Sequence, residues 1–195
     1  MRKSKVIRRT RETAIKCSIN IDGRGKNKIS TKIGFFDHML EILSTHSLVD
    51  LTLSAKGDTE VDLHHTVEDC GYVLGESILK ALGNKRGINR YGYFYVPMDE
   101  CLSRCVIDFS GRSELVWDVK LSLKKLGEMD TELFQEFFKA FAKSSEANIH
   151  ISNLYGKNNH HIIESCFKAF ARSIRMAASI EKKTKNLIPS SKGSL

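Results

Sequence analysis

Two seven-residue stretches carry the same chemistry: His64-His65-Thr66-Val67-Glu68-Asp69-Cys70 and, far downstream, His160-His161-Ile162-Ile163-Glu164-Ser165-Cys166. On a helix, residues four apart lie one above the other, so His64 shares a face with Glu68 and His160 with Glu164. Adjacent residues diverge by about 100° around the axis. His65 and His161 therefore point away from their neighbours, and each pair is better placed to serve two metal ions than to chelate one. Imidazole nitrogen with carboxylate oxygen suits zinc, manganese or iron, and a thiolate-rich structural zinc is disfavoured. A single copy would serve equally well as an ordinary helix start with glutamate near its positive end. Two copies at equivalent places point to ligands.

Helices and strands must hold those side chains in register. Alternation over Ile15–Ile21 predicts a half-buried strand, Asp22-Gly23-Arg24-Gly25 a turn, and Lys28–Ile33 a second strand. A helix is expected near Phe35–Thr45, a strand over Val49–Ala55, and a long helix from His64 to about Leu82, ended by Gly83. The first half reads β-β-α-β-α. After an extra strand around Tyr91–Val96 the second half repeats that order, with strands near Cys101–Phe109 and Leu115–Leu121, a helix near Thr131–Lys143, a strand near Ile149–Ser152 and a final helix from His160.

Residues align as well. Glu12, Cys17 and Asp22-Gly23-Arg24 match Glu100, Cys105 and Ser110-Gly111-Arg112, and Phe36-Asp37-His38 matches Phe134-Gln135-Glu136. Internal duplication is the economical explanation. It gives one domain over 1–195, built of repeats at about 6–88 and 89–182 with a tail at 183–195. The fold class is a two-layer α/β (α+β) arrangement of duplicated ββαβα-type units, with helices largely on one face of each sheet. The same register offers His38 and Glu136 as further ligands. Cys17, Cys70, Cys105 and Cys166 read as small buried hydrophobes, and His150, which has no repeat partner, reads as structural.

The 195 residues are 41% hydrophobic, enough for a real core. No run is long and apolar enough to span a membrane, and the basic N-terminus has no apolar segment behind it, so a cytoplasmic location is expected. Five cysteines without an export signal argue against a disulfide framework. A net charge of +8 suggests an anionic partner, either nucleic acid or a phosphorylated small molecule. Candidates to hold a phosphate are Arg90, Arg112 and Lys192, set among glycine- and serine-rich turns such as Ser190-Ser191-Lys192-Gly193. Lys182-Lys183-Thr184-Lys185 reads as a solvated charge run.

With these residues in view, the chain resembles the imidazoleglycerol-phosphate dehydratases, lyases of histidine biosynthesis. "RETAIKCSINIDGRG", "GFFDHML", "VDLHHTVEDCG", "VPMDE", "DFSGR", "DTELFQEFF", "NNHHIIESCFKAFAR" and "IPSSKG" occur in the family's order and spacing. The resemblance implies a shell of 24 subunits, no membrane or nucleic-acid partner, and two manganese ions per active site at subunit boundaries. It implies metal ligands at His38, His64, His65, Glu68, His160, His161 and Glu164. At residue 136 many relatives carry histidine where this chain has Glu136, an oxygen donor. Substrate contacts carry over to Glu12, His46, Arg90, Arg112, Ser191 and Lys192, with His38, His64, His160 and Ser190 beside them.

The implied reaction removes water from D-erythro-imidazole glycerol phosphate to give imidazole acetol phosphate. No carbonyl activates the leaving hydroxyl or the adjacent C–H. Metal coordination of the ring nitrogens would favour an imidazolate able to expel the hydroxyl and form a diazafulvene. Glu12, outside both metal motifs, is the expected proton acceptor, with His64, Glu68, His160 and Glu164 at the reacting centre. A basic nucleic-acid-binding module is the competing class, but the chain lacks a basic patch interleaved with aromatics. A metal-binding shell without catalysis is the third.

Overall fold

The computed structural model describes residues 1–195. In chain order the elements are β1 (Lys3–Arg9), β2 (Thr13–Asn20), β3 (Asn27–Ser30), α1 (Gly34–Ser47), β4 (Asp50–Gly57) and α2 (His64–Leu82). There follow β5 (Tyr91–Met98), β6 (Cys101–Asp108), β7 (Glu114–Asp118), a short hairpin of β8 (Lys125–Leu126) and β9 (Met129–Asp130), α3 (Glu132–Ser145), β10 (Asn148–Tyr155) and α4 (Asn159–Ala178).

Two four-stranded sheets share one topology, β1-β2-β4-β3 and β5-β6-β10-β7. In each, the last pair is parallel and the others antiparallel. Period-two burial sets their register: Ile15, Cys17 and Ile19 of β2 face inward while Lys16 faces out, and Cys101, Ser103, Cys105 and Ile107 of β6 do the same in the second sheet.

The mixed α/β fold of two sheets and four helices is the class expected from the sequence, with one correction. Each half begins with three strands, not two, so the unit is β-β-β-α-β-α. The strand at Tyr91, read as an addition, has a counterpart in β1. β1 escapes a periodicity search because its Lys-Ser-Lys-Val-Ile-Arg-Arg run buries only Val6. It is a charged edge strand, the type that guards a sheet against further pairing.

The helices of each unit cover one face of its own sheet, α2 on β1, β2 and β4, and α4 on β5, β6 and β10. The two helical layers then meet, α2 against α3 and α1 against α4, so the helices lie between the sheets. Glycines permit the closest of these contacts. A Cβ at Gly71 would sit 2.5 Å from the Phe137 carbonyl oxygen, and one at Gly75 the same distance from that of Phe141.

One apolar cluster of 46 buried residues runs through both units and makes a single core. At its centre Phe36, Phe134, Phe137, Phe138, Phe141, Phe167 and Phe170 are fully buried. Phe137 stacks on Phe167 at 5.6 Å, and Phe138 meets Phe170 edge-on at 5.0 Å. All five cysteines are free and buried. No helix is long and apolar enough to cross a membrane.

Candidate metal centre and phosphate clamp

Both histidine pairs sit in the first turn of a helix. Asn158 caps α4 by accepting from the backbone N–H of His160 at 2.9 Å and of His161 at 3.4 Å. At α2, Asp62 accepts from the His64 N–H at 3.0 Å. Starting the helix here places each glutamate one turn below the first histidine of its pair.

The adjacent rings stand apart, with centroids 6.2 Å apart and planes inclined at 79° for His64 and His65, and 6.3 Å and 83° for His160 and His161. His160 Nε2 lies 3.0 Å from Glu164 Oε2, and His38 of α1 brings its Nε2 to 3.7 Å from the same oxygen. His64 and Glu68 meet Glu136 of α3. In each trio the donor atoms lie within 4.8 Å of one another. Each trio thus combines His-x-x-x-Glu from one unit with a single donor from the other, because α1 packs on α4 and α2 on α3. Two nitrogens with one carboxylate, and one nitrogen with two carboxylates, are donor sets for a hard or borderline divalent ion.

Glu164 is nearly buried, which works to raise its carboxyl. Hydrogen bonds from Lys168 and His160 outweigh that and hold it below the usual glutamate range. Lys168 Nζ stands 2.8 Å from its second oxygen. Glu136 is met by Lys139 at 3.4 Å.

His65 and His161 belong to neither trio. His65 Nδ1 meets Asp58 at 3.1 and 3.2 Å, and its Nε2 is 3.8 Å from Glu12. His161 Nδ1 meets Glu100 Oε2 at 2.9 Å, and its Nε2 is 3.7 Å from Asp99. Hydrogen bonds that the imidazoles donate to Asp58 and Glu100 raise the two rings above the ordinary histidine value. Cys101 completes a third cluster with Glu100 and His161. Burial pushes its thiol up to about 11, and it donates to Glu100 at 3.2 Å, so the group serves as a hydrogen-bond donor.

The basic residues gather at the other end of α4. Arg90 forms a two-pronged pair with Asp108 at 2.6 and 3.0 Å, and its third nitrogen donates to the Pro189 carbonyl at 3.0 Å. The hydrogen bonds it donates to Asp108 raise the guanidinium further. The tail folds back on the turn bearing Arg112: a Cβ at Gly111 would lie 2.9 Å from the Leu195 carboxyl carbon. Lys192 donates its N–H to Ser190 Oγ at 3.2 Å, and Ser191, Lys192 and Arg112 are exposed. His46, in the last turn of α1, is partly buried, and that burial, with Lys168 and Arg172 nearby, lowers its imidazole.

The two ends are far apart. The Arg90 N–H donates to the Ala177 carbonyl at 2.9 Å, and Ala177 is seventeen residues beyond His160 on α4. At the rise of a helix this is about 25 Å. The structure therefore brings together His38, His160 and Glu164, and separately His64, Glu68 and Glu136. It keeps Arg90, Arg112, Ser190, Ser191 and Lys192 away from the His160 trio within one chain. Sequence reading missed Asp58 and Lys168. Lys168 is findable as the fourth residue after Glu164, whereas Asp58 reaches His65 from a turn and leaves no periodic trace.

A family model described as imidazoleglycerol-phosphate dehydratase matches residues 31–174. The chain is 50% identical over 194 residues to an imidazoleglycerol-phosphate dehydratase of Agrobacterium fabrum, covering all of this chain and 98% of that one. Its fold is similar to the crystal structure of the Staphylococcus aureus enzyme, with a TM-score of 0.83, 38% identity, and coverage of 92% of this chain and 99% of that one. It is also similar to the Pyrococcus furiosus enzyme solved in complex with (S)-C348, with a TM-score of 0.85, 31% identity, and coverage of 97% and 100%.

Proposed function

The chain belongs to the imidazoleglycerol-phosphate dehydratase family and is a hydro-lyase of histidine biosynthesis; from that premise we propose that it works with two manganese ions, in sites completed between subunits. The reaction takes imidazole glycerol phosphate to imidazole acetol phosphate. The proposed location is the cytoplasm.

The observation that carries this reading is the incompleteness of the single chain. Each trio offers three donors where manganese takes about six ligands. His65 and His161 belong to neither trio and their Nε2 atoms make no hydrogen bond, which leaves them to complete sites on neighbouring copies. The substrate is far shorter than the distance between the His160 trio and Arg90, so its ring and phosphate are held by different subunits. A closed homo-oligomer, proposed to be a 24-mer, satisfies all of these contacts by symmetry.

In that assembly His38, His160 and Glu164 hold one ion, and His64, Glu68 and Glu136 the other. Manganese there supplies Lewis acidity to the ring nitrogens of the substrate. Arg112, Lys192, Ser190 and Ser191 grip the phosphate, and Arg90, fixed by Asp108, anchors the tail carrying three of them. His46 remains available as a hydrogen-bonding contact. Glu12, exposed beside His65, takes the proton from the C–H next to the departing hydroxyl.

The test is turnover of imidazole glycerol phosphate by chelator-stripped protein, with and without added manganese, alongside its mass in solution. Activity restored by manganese in a large assembly is expected. Full activity without metal, or an active monomer, would overturn the reading.

A further inference from the structure

Glu12 and Glu100 occupy the same place in the two repeats, yet they are used differently. The carboxylate of Glu100 is pinned: Oε1 accepts from Asn158 N–H at 2.7 Å, Lys157 N–H at 3.1 Å and the Cys101 thiol at 3.2 Å. Only Oε2 is left, and it meets His161 Nδ1 at 2.9 Å. Glu12 makes no such contact with His65 Nδ1. In the first repeat Asp58, which belongs to the turn after β4, takes that place through both its oxygens. The same contact to the second histidine of each pair has thus been reached from two non-equivalent positions, which a relic of duplication would not produce.

A carboxylate on Nδ1 fixes the imidazole tautomer with hydrogen on Nδ1 and the lone pair on Nε2. Such partners set the direction and donor strength of metal-binding histidines. We propose that Asp58 and Glu100 are positioning residues that hold the Nε2 atoms of His65 and His161, which have no hydrogen bond within their own chain, as ready-made donors for a divalent ion on a neighbouring copy of the chain. This rests on the manganese reading above. It also accounts for Glu12, which is released from the structural task that Glu100 performs and stays available for proton transfer.

Isosteric amides separate this role from a merely structural one. In Glu100→Gln the carbonyl oxygen stays on the three donors that pin Oε1, so the amide NH2 faces His161. That reverses the hydrogen bond and selects the tautomer with hydrogen on Nε2, the one that cannot ligate; the same substitution inactivates catalytic carboxylate–histidine pairs. Asp58 has no side-chain partner besides His65, so in Asp58→Asn the carbonyl turns to Nδ1 and the tautomer survives.

Calorimetric titration of the metal-free protein with manganese reads this directly, together with thermal unfolding of the same samples. Glu100→Gln should weaken one of the two binding phases by about 10- to 100-fold while leaving the apo unfolding temperature in place. Asp58→Ala should weaken the other phase by about 10-fold or more, and Asp58→Asn should restore it to within about threefold. Wild-type affinity in both Glu100→Gln and Asp58→Ala would overturn the proposal and leave the manganese reading standing. A wild-type protein that binds no manganese would overturn both.

Discussion

Glu12 and Glu100 show how little a residue type says without its partners. They align in the duplicated sequence, but Glu100 is held by two backbone N–H groups, a thiol and a histidine, whereas Glu12 is exposed and touches only the rim of His65. A proton acceptor needs that freedom. Glu12→Gln should lower turnover by about a hundredfold or more with manganese binding unchanged; unchanged turnover would remove Glu12 from the reaction. The stacking of His64 on Glu68 and of His160 on Glu164 was legible from spacing alone. The third donor of each trio was legible only as a candidate, because His38 and Glu136 join the opposite repeat across the helical interface.

The pH dependence of folding also belongs to single residues. Asp22 accepts from the Arg2 backbone N–H at 2.9 Å and from its guanidinium at 2.6 and 3.1 Å. Hydrogen bonding to Arg2, opposed by modest desolvation, holds its carboxyl below the usual aspartate value. A folded value below the unfolded one means that the stabilisation is present above about pH 4 and is lost as pH falls through the folded value. Asp22→Asn should therefore lower the unfolding temperature at pH 7 and change it little at pH well below that range. Equal losses at both values would contradict this origin.

At the scale of elements, strands with clean alternation and helices with an apolar stripe announce themselves. β2, β6 and α2 fall where periodicity puts them, and α2 begins and ends at the expected residues, His64 and Leu82. β1 does not, since a basic edge strand buries too little to leave a pattern. The seam between the repeats hides for a different reason: Gly71 and Gly75 lie on α2 four residues apart, and nothing in the sequence says that α3 comes to rest on them. Gly75→Val would drive a side chain against the Phe141 backbone and should destabilise the metal-free protein by about 1–3 kcal/mol in urea unfolding. A variant as stable as the parent would mean that the two helical layers are not seated as described.

The whole molecule adds what neither residues nor elements contain. Composition allowed an anionic partner, and the turns around Arg90, Arg112 and Lys192 suggested where a phosphate would bind. Their separation from the His160 trio by most of the length of α4 appears only once the helix is laid against its sheet. On the proposed reading, a chain with its metal donors at one end and its phosphate contacts at the other supplies half of two sites. Oligomerisation thereby becomes, under this proposal, a condition of the chemistry and not an addition to it.

Subunit complementation tests that claim most directly. His160→Ala removes a proposed metal donor, and Arg112→Ala removes an exposed part of the proposed clamp; each variant alone should be inactive. Unfolded together and reassembled with manganese, the mixture should regain activity, up to roughly a quarter of wild type for sites formed between two chains. A mixed assembly that stays as inactive as its parents would show that each chain builds its site alone, and would contradict the account.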